Sequence, residues 1–123
     1  MADPDQDLGA LAVATHAYED ALAAGDTVAA AAFFDRDPAT SRFGPEGSQL
    51  GLDAVVALRS STGPTPPATW VHDSIRLLAP GVALHLAVLE RGGATIQRTQ
   101  AWIHGPEGWR IAHAHVSRLP PAP

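Results

Sequence analysis

The chain has 123 residues, a formal net charge of −5 and no cysteine, so it can form neither disulfide bonds nor thiolate metal sites. Its eight cations are all arginine and form no basic cluster, which argues against a nucleic-acid partner. Its apolar runs are far shorter than the ~20 residues of a membrane span and its start is acidic, so we expect a soluble cytoplasmic protein without a membrane partner.

The first part of the chain predicts two helices in succession. Apolar residues within residues 5–24 recur at spacings of three and four, which indicates an amphipathic helix with Tyr18 on its buried face. Gly25 ends this helix. Asp26 is a candidate N-cap for a second, alanine-rich helix that runs to about Phe34.

Two short strands and a third helix are predicted next. Residues 40–50 combine short strand-like runs with a turn at residues 44–47 that is rich in glycine and proline. A third helix is predicted over residues 52–60, with Arg59 on the same face as its apolar residues.

The second half of the chain predicts an antiparallel sheet. Strand-like runs separated by hairpin-like turns lie at residues 69–78, 82–90, 94–104 and 109–118. Helices and such a meander predict an α+β fold, in which three N-terminal helices pack in a curved, mostly antiparallel sheet. The loop at residues 63–67 is too short for a domain linker, so one domain is expected over residues 1–123, with a disordered tail at residues 119–123.

Tyr18 and Arg42 are the first candidates for chemistry. Tyr18 is the only tyrosine in the sequence, and its helical phase points it inward, where a hydroxyl group needs a partner. It is either a core residue bonded to the backbone or a donor and general acid at the floor of a pocket. Arg42 is either a surface arginine or a clamp for a carboxylate or an oxyanion.

Polar residues on the predicted strands are the next candidates. Arg98, Gln100 and Trp102 share one face, because side chains alternate along a strand. If this face lines a cavity, its polar groups bind a polar ligand. The sequence has no Gly-x-Ser-x-Gly elbow, and the strands lack the paired carboxylates of a glycoside hydrolase.

The last strand adds two histidines and a serine. His113, His115 and Ser117 alternate with apolar residues, and the same alternation predicts that they share a face with Trp109 and Ile111. Two histidines alone make a weak metal site, so we predict no metal. Histidines in such positions more often act as neutral hydrogen-bonding groups.

Two signatures point to a family. The segment Arg42-Phe43-Gly44 lies shortly before Glu46, and Arg98-Thr99-Gln100-Ala101-Trp102 precedes the run from Gly108 to Ser117. In these signatures the chain resembles the AtzH-like family of the nuclear transport factor 2-like (SnoaL-like) superfamily, over about residues 18–117. The resemblance implies a homodimer of cone-shaped subunits, each with a cavity between helix and sheet.

The resemblance also implies an activity. The family's namesake is a hydrolase, an amidohydrolase that needs no metal or cofactor and acts on small carboxylated ureas, and other members accompany amidases. The family's functional tyrosine and arginine correspond to Tyr18 and Arg42. Residues predicted to bind a ligand with a carboxylate or amide are Arg59, Arg98, Gln100, His113, His115 and Ser117.

The chain also departs from the family pattern. A second cation expected shortly after Arg59 is missing, and His113 stands where alanine is usual, which indicates a less anionic substrate. Three functions stay open: a cofactor-free amidohydrolase, a non-catalytic ligand-binding or accessory subunit of a partner amidase, and an isomerase or cyclase. The last would need one of the histidines as its base.

Overall fold

The computed structural model describes the backbone of residues 4–120 and the side chains of residues 8–120. Its helices are α1 (Pro4–Ala24), α2 (Thr27–Ala32) and α3 (Leu52–Ser61). Its strands are β1 (Ser41–Gly44), β2 (Gly47–Leu50), β3 (Thr69–Ala79), β4 (Val82–Arg91), β5 (Ala94–Gly105) and β6 (Gly108–Leu119). The predicted α+β class is confirmed, and α3 follows the first two strands as the sequence predicts. Within the described range, no helix is long and apolar enough to cross a membrane.

The strands form one curved six-stranded sheet in the order β2-β1-β6-β5-β4-β3. Strands β3 to β6 make the predicted antiparallel meander, and β1 joins β6 in parallel. A parallel pair needs a crossover, and the rest of the chain between β1 and β6 supplies it. The pairing places Arg42 opposite Ala114, so the two sequence signatures meet at one place in the sheet.

The helix boundaries follow local chemistry. Gly25 has a φ of 71°, the left-handed conformation that ends many helices. Asp26 caps α2 as predicted, because its Oδ1 accepts a hydrogen bond of 3.1 Å from the backbone N–H of Ala29. Helix α2 ends before the predicted Phe34, since Phe34 forms an isolated parallel bridge with Ile111 of β6.

The core lies between the helices and one face of the sheet, here called the inner face. Side chains that are fully buried include Leu11, Phe34, Val55, Trp102 and Ile111. The Tyr18 ring belongs to the same cluster and is 3% exposed, as its helical phase predicted. Burial of these large apolar groups is the main force that holds the helices on the sheet.

A β-bulge interrupts strand β6. Ala101 of β5 pairs with His113 and the next residue, Trp102, pairs with Ile111, so Ala112 has no partner in the ladder. An extra residue on one strand shifts every later side chain by one position. The two halves of β6 therefore present opposite phases of the sequence to the core.

The predicted shared face for the polar and apolar residues of this strand is consequently wrong. Ala114, between the two histidines, is 2% exposed and takes an inward position. The polar residues of the strand's second half lie on the outer face, away from the helices: His113, His115 and Ser117. The end of the strand differs too, because Leu119 still pairs with Thr95, and residues 121–123 of the predicted tail lie outside the described residues.

A cluster around Asp73 attaches α1 to β3 at the edge of the sheet. The Asp73 carboxylate lies 2.6 Å from Nε2 of His16 and 2.6 Å from Nε2 of His85, which is fully buried. The His16 ring also stacks on Trp70, with ring centroids 4.5 Å apart. Burial alone would raise the pKa of Asp73, but the bonds with the two histidines lower it below 3.8.

We predict that Asp73→Asn destabilises the fold near neutral pH. A depressed carboxylate pKa contributes stability above its ordinary value, and this stability is lost as the pH falls through the folded-state pKa. Urea unfolding should show a lower free energy of unfolding for the variant at about pH 7 and a smaller difference at about pH 3. Asp20→Asn, which changes an exposed carboxylate on α1, is the control. An equal decrease in the free energy of unfolding in Asp73→Asn and Asp20→Asn would contradict the prediction.

Candidate functional site

A cavity of about 220 Å³ lies between α1, α3 and the inner face of the sheet. Pockets for drug-sized ligands start at roughly 300 Å³, so this cavity suits a smaller molecule. Five of the chain's eight arginines line it, namely Arg42, Arg59, Arg91, Arg98 and Arg118. Such a concentration of cations in an acidic chain is typical of a site for an anion.

The structure brings together most of the predicted site residues. The cavity is lined by Tyr18, Arg42, Arg59, Arg98 and Gln100. The other predicted residues lie on the outer face and do not line the cavity: His113, His115 and Ser117. The sequence did not determine which face of β5 lines the cavity. The structure shows that it is the face that carries Arg98 and Gln100.

Arg42 is anchored by the hairpin that carries it. It is 4% exposed, and its Nη1 donates to Oε2 of Glu46 at 2.8 Å and to Oε1 of Gln49 at 3.2 Å. A Cβ atom at Gly44 would lie 2.7 Å from Nη1 of Arg42 and 2.9 Å from the Glu46 carboxylate. A side chain at position 44 would therefore displace the Arg42 guanidinium or the Glu46 carboxylate from this ion pair, which gives the Arg-Phe-Gly signature a steric reason.

Glu19 is the buried counter-charge at the other side of the cavity. Its carboxylate accepts bonds of 2.8 and 3.0 Å from Nη1 and Nη2 of Arg91, and one of 3.0 Å from Nη1 of Arg98. Burial would raise the pKa of Glu19, but the bonds from Arg91 and the charge of Arg98 lower it below 4.5. Glu19 is therefore ionised at neutral pH and holds both guanidinium groups in place.

Arg98 is positioned without using all of its donors. Its guanidinium carbon lies 5.6 Å from the ring centroid of Tyr18 and 6.0 Å from that of Trp70, within range of cation–π attraction. Its Nε and Nη2 are buried and have no hydrogen-bond partner in the described part of the chain. These two N–H groups are therefore unsatisfied donors in the buried part of the structure.

Arg59 carries the least compensated charge. It is 6% exposed, forms no ion pair with any described carboxylate, and its buried Nε has no hydrogen-bond partner within residues 8–120. Burial lowers the pKa of Arg59 from its ordinary value, the charges of Arg42 and Arg98 lower it further, and the Glu46 carboxylate raises it in part. A buried cation without a partner is costly, which is the expected state of an anion site without its anion.

The outer-face histidines have other contacts. His113 Nδ1 lies 2.8 Å from the Ser41 hydroxyl, and the rings of His113 and His115 pack edge-on against Phe43. Burial lowers the pKa of His113, and the nearby His115 lowers it further. Across the described side chains, no three histidine or acidic residues are grouped so that they could hold a metal ion.

Several cavity residues were not predicted. Arg91 and Arg118 line the cavity, Glu19 binds Arg91 and Arg98, and Glu46 is a carboxylate in the lining. The expectation of a less anionic substrate loses its basis, because Arg91 and Arg118 add positive charge to the cavity lining and His113 faces away from the cavity. The only feature of the sequence that could have indicated a buried Glu19 is its position directly after the inward-facing Tyr18.

Comparisons with known proteins agree with this architecture. A family model described as AtzH-like matches residues 3–122. A cystatin-like fold protein from Burkholderia xenovorans LB400 is similar, with 27% identity and a TM-score of 0.86 over 98% of this chain and 96% of that one. A protein of unknown function from Pectobacterium atrosepticum SCRI1043, of the family DUF3225, shares 26% identity, with a TM-score of 0.85 over 96% and 98% of the two chains.

A more distant neighbour shares the fold alone. This nuclear transport factor 2-like superfamily protein from Salmonella enterica serovar Typhimurium is 18% identical, with a TM-score of 0.76 over 98% of this chain and 95% of that one. No match is found among curated protein sequences. The comparisons therefore support the fold and the family without assigning a substrate.

We predict that Arg59→Leu stabilises the ligand-free protein. Replacing an unpaired buried cation with an apolar side chain of similar volume removes its desolvation cost, by about 1 kcal/mol or more. Thermal and urea unfolding would measure the gain. Arg76→Leu, at an exposed arginine of β3 outside the cavity, should give no comparable increase. A loss of stability in Arg59→Leu would show that Arg59 has a structural role instead.

Proposed function

This chain belongs to the AtzH-like family, and we propose that it binds a small carboxylated amide or urea in its cavity and hydrolyses it without a metal or cofactor. The observation that carries the proposal is the group of buried arginines, above all Arg59, which forms no ion pair with the described residues. A guanidinium group matches a carboxylate in both charge and geometry. The cavity volume of about 220 Å³ suits a ligand of this size.

In this proposal different cavity residues bind the carboxylate, stabilise the oxyanion and protonate the leaving nitrogen. Arg42 and Arg59 bind the ligand's carboxylate, while the unpartnered donors of Arg98 and Gln100 stabilise the oxyanion that forms on the scissile carbonyl. The Tyr18 hydroxyl lines the cavity and forms no hydrogen bond to a described residue, so it is available to the leaving nitrogen.

The hydrolytic step needs a base, and Glu46 is a carboxylate in the cavity lining. Water would attack the amide carbonyl carbon and pass a proton to Glu46. The carbon–nitrogen bond then breaks as the nitrogen takes the Tyr18 proton, and Glu46 returns its proton to the tyrosine. The overall reaction adds one water and releases an amine or ammonia.

A second candidate is a non-catalytic binding or accessory subunit. Burial would raise the pKa of Glu46, but its bond with Arg42 lowers the pKa below 4.5, which makes the carboxylate a weak base. Binding of an anion in this cationic cavity, unlike hydrolysis, needs no base. The isomerase or cyclase alternative is less favoured, because a polycyclic substrate has little room in this cavity. The homodimer and the partner amidase stay predictions.

We predict that binding of small carboxylates depends on Arg42. In a thermal-shift screen, carboxylated amides and ureas should raise the melting temperature of the wild type, because a ligand that binds only the folded state stabilises it. The increase should be lost in Arg42→Ala and kept in Arg76→Ala, which changes an exposed arginine outside the cavity. Stabilisation by apolar polycyclic compounds alone, unchanged in Arg42→Ala, would rule out the anion site.

Turnover and binding should separate at Tyr18. We predict that Tyr18→Phe loses about a hundredfold or more in kcat with little change in ligand affinity, the usual contribution of a general acid. Release of ammonia or amine from a compound found in the binding screen measures the effect. If neither wild type nor variant turns over any compound that binds, the accessory or binding role replaces the enzyme.

A further inference from the structure

A buried chain of hydrogen bonds runs from β3, at the edge of the sheet, to the cavity. Gln100 of β5 pairs directly with His85 of β4, and both side chains lie on the inner face. Nδ1 of His85 lies 3.3 Å from Oε1 of Gln100, and Nε2 of His85 lies 2.6 Å from Oδ1 of Asp73. His85 is fully buried, so the chemistry of its two neighbours determines where its ring carries protons.

The first neighbour, the Gln100 amide, has an orientation that can be worked out. Nε1 of Trp102 lies 3.0 Å from the same Gln100 oxygen position that His85 contacts. An indole nitrogen can only donate, so the atom at this position must be the amide oxygen. That oxygen can only accept, and Nδ1 of His85 must therefore carry a proton to bond with it.

The second neighbour, the Asp73 carboxylate, requires a proton on the other ring nitrogen. Burial would raise the pKa of Asp73, but its bonds with His16 and His85 lower it, so the carboxylate is ionised at neutral pH. An ionised carboxylate can only accept. A lone pair on Nε2 of His85 would repel a carboxylate oxygen at 2.6 Å, so this nitrogen also carries a proton. With two N–H groups, the ring is a cation.

The surroundings of His85 compensate this buried charge. Asp73 supplies the counter-charge, and its side chain is 30% exposed, so water solvates part of the pair. The ring of Trp70 lies with its centroid 5.8 Å from that of His85, within range of cation–π attraction. A buried cation is tolerated only where such partners are in place.

From these contacts we propose that His85 is a buried imidazolium, paired with Asp73, that holds the carbonyl oxygen of Gln100 and so keeps the Gln100 N–H groups available to the cavity. His85 does not line the cavity, so it is a positioning residue that acts through Gln100. The oxygen of Gln100 accepts from both His85 and Trp102, and reversal of the amide would place its N–H groups against two donors.

This positioning role rests on the proposed function, in which Gln100 stabilises the oxyanion. The amide nitrogen of Gln100 has no hydrogen-bond partner among the described residues, and Gln100 lines the cavity. A bond from a cation to the amide oxygen polarises the amide and strengthens its N–H groups as donors. His85 therefore contributes to the stabilisation of the oxyanion without touching the substrate.

Nitrogen-15 NMR of the histidine rings tests the charge of His85. At neutral pH we expect both ring nitrogens of wild-type His85, assigned through its backbone, to give the signals of protonated nitrogens. In Asp73→Asn an amide replaces the carboxylate, and we expect Nε2 to lose its proton while Nδ1 keeps the bond to Gln100. His104, which is exposed on β5, is the internal control and should give the same signals in both proteins. An unprotonated ring nitrogen of His85 in the wild type would overturn the proposal.

Turnover of a compound found in the binding screen tests the positioning role. We expect His85→Phe to lower kcat about tenfold with little change in KM, because the oxyanion forms only in the transition state. In a Gln100→Leu background the same substitution should lower kcat no further, since His85 acts through Gln100. His104→Phe should leave kcat near that of the wild type. An equal loss in both backgrounds would show that His85 is merely structural.

The two experiments distinguish this inference from the proposed function. If no compound is turned over, the proposed function fails, and the ring signals of the wild type still decide the charge of His85. If His85→Phe does not fold, the comparison of wild type with Asp73→Asn remains. A loss of one ring proton in Asp73→Asn supports the proposal, and identical ring signals of His85 in the two proteins overturn it.

Discussion

The carboxylate of Glu19 is the constraint on which the cavity depends. It is the buried anion between Arg91 and Arg98, and without it two guanidinium groups would lie close together without a counter-charge. Glu19 follows Tyr18 directly in α1, so one helix supplies both the tyrosine and the counter-charge. A shift of this helix would break the ion pairs as well as the aromatic packing, and the position of Tyr18 is therefore coupled to that of Arg98.

The features that could be predicted from sequence are those with local causes. The helices, the hairpin turns and the inward direction of Tyr18 follow from periodicity and from turn residues within a few positions. Arg42 was identified from its signature, and the structure adds the reason, since Gly44 makes space for its guanidinium group.

The missed features have long-range causes. The pairing of Glu19 with Arg91 joins residues 72 positions apart, and nothing local to either residue indicates it. The bulge at Ala112 is marked in the sequence only by two adjacent apolar residues, Ile111 and Ala112, after which the alternation of polar and apolar residues resumes in the opposite phase. A strict period of two along the strand does not take this change of phase into account. The histidines of β6 were therefore assigned to the wrong face, although their spacing was read correctly.

The bulge in β6 also affects how the lining of such a cavity can change during evolution. Strand β6 holds two alternative linings: the small and aliphatic residues that now face the helices, and the histidines that now face outward. They differ by one residue of register, which an insertion or deletion near Ala112 changes and a point substitution does not. Among proteins of this fold, a single-codon length change at this place is thus a short route from an arginine-based interior to one that contains imidazole groups. The chemistry of the pocket can then be replaced while the composition of the strand stays almost the same.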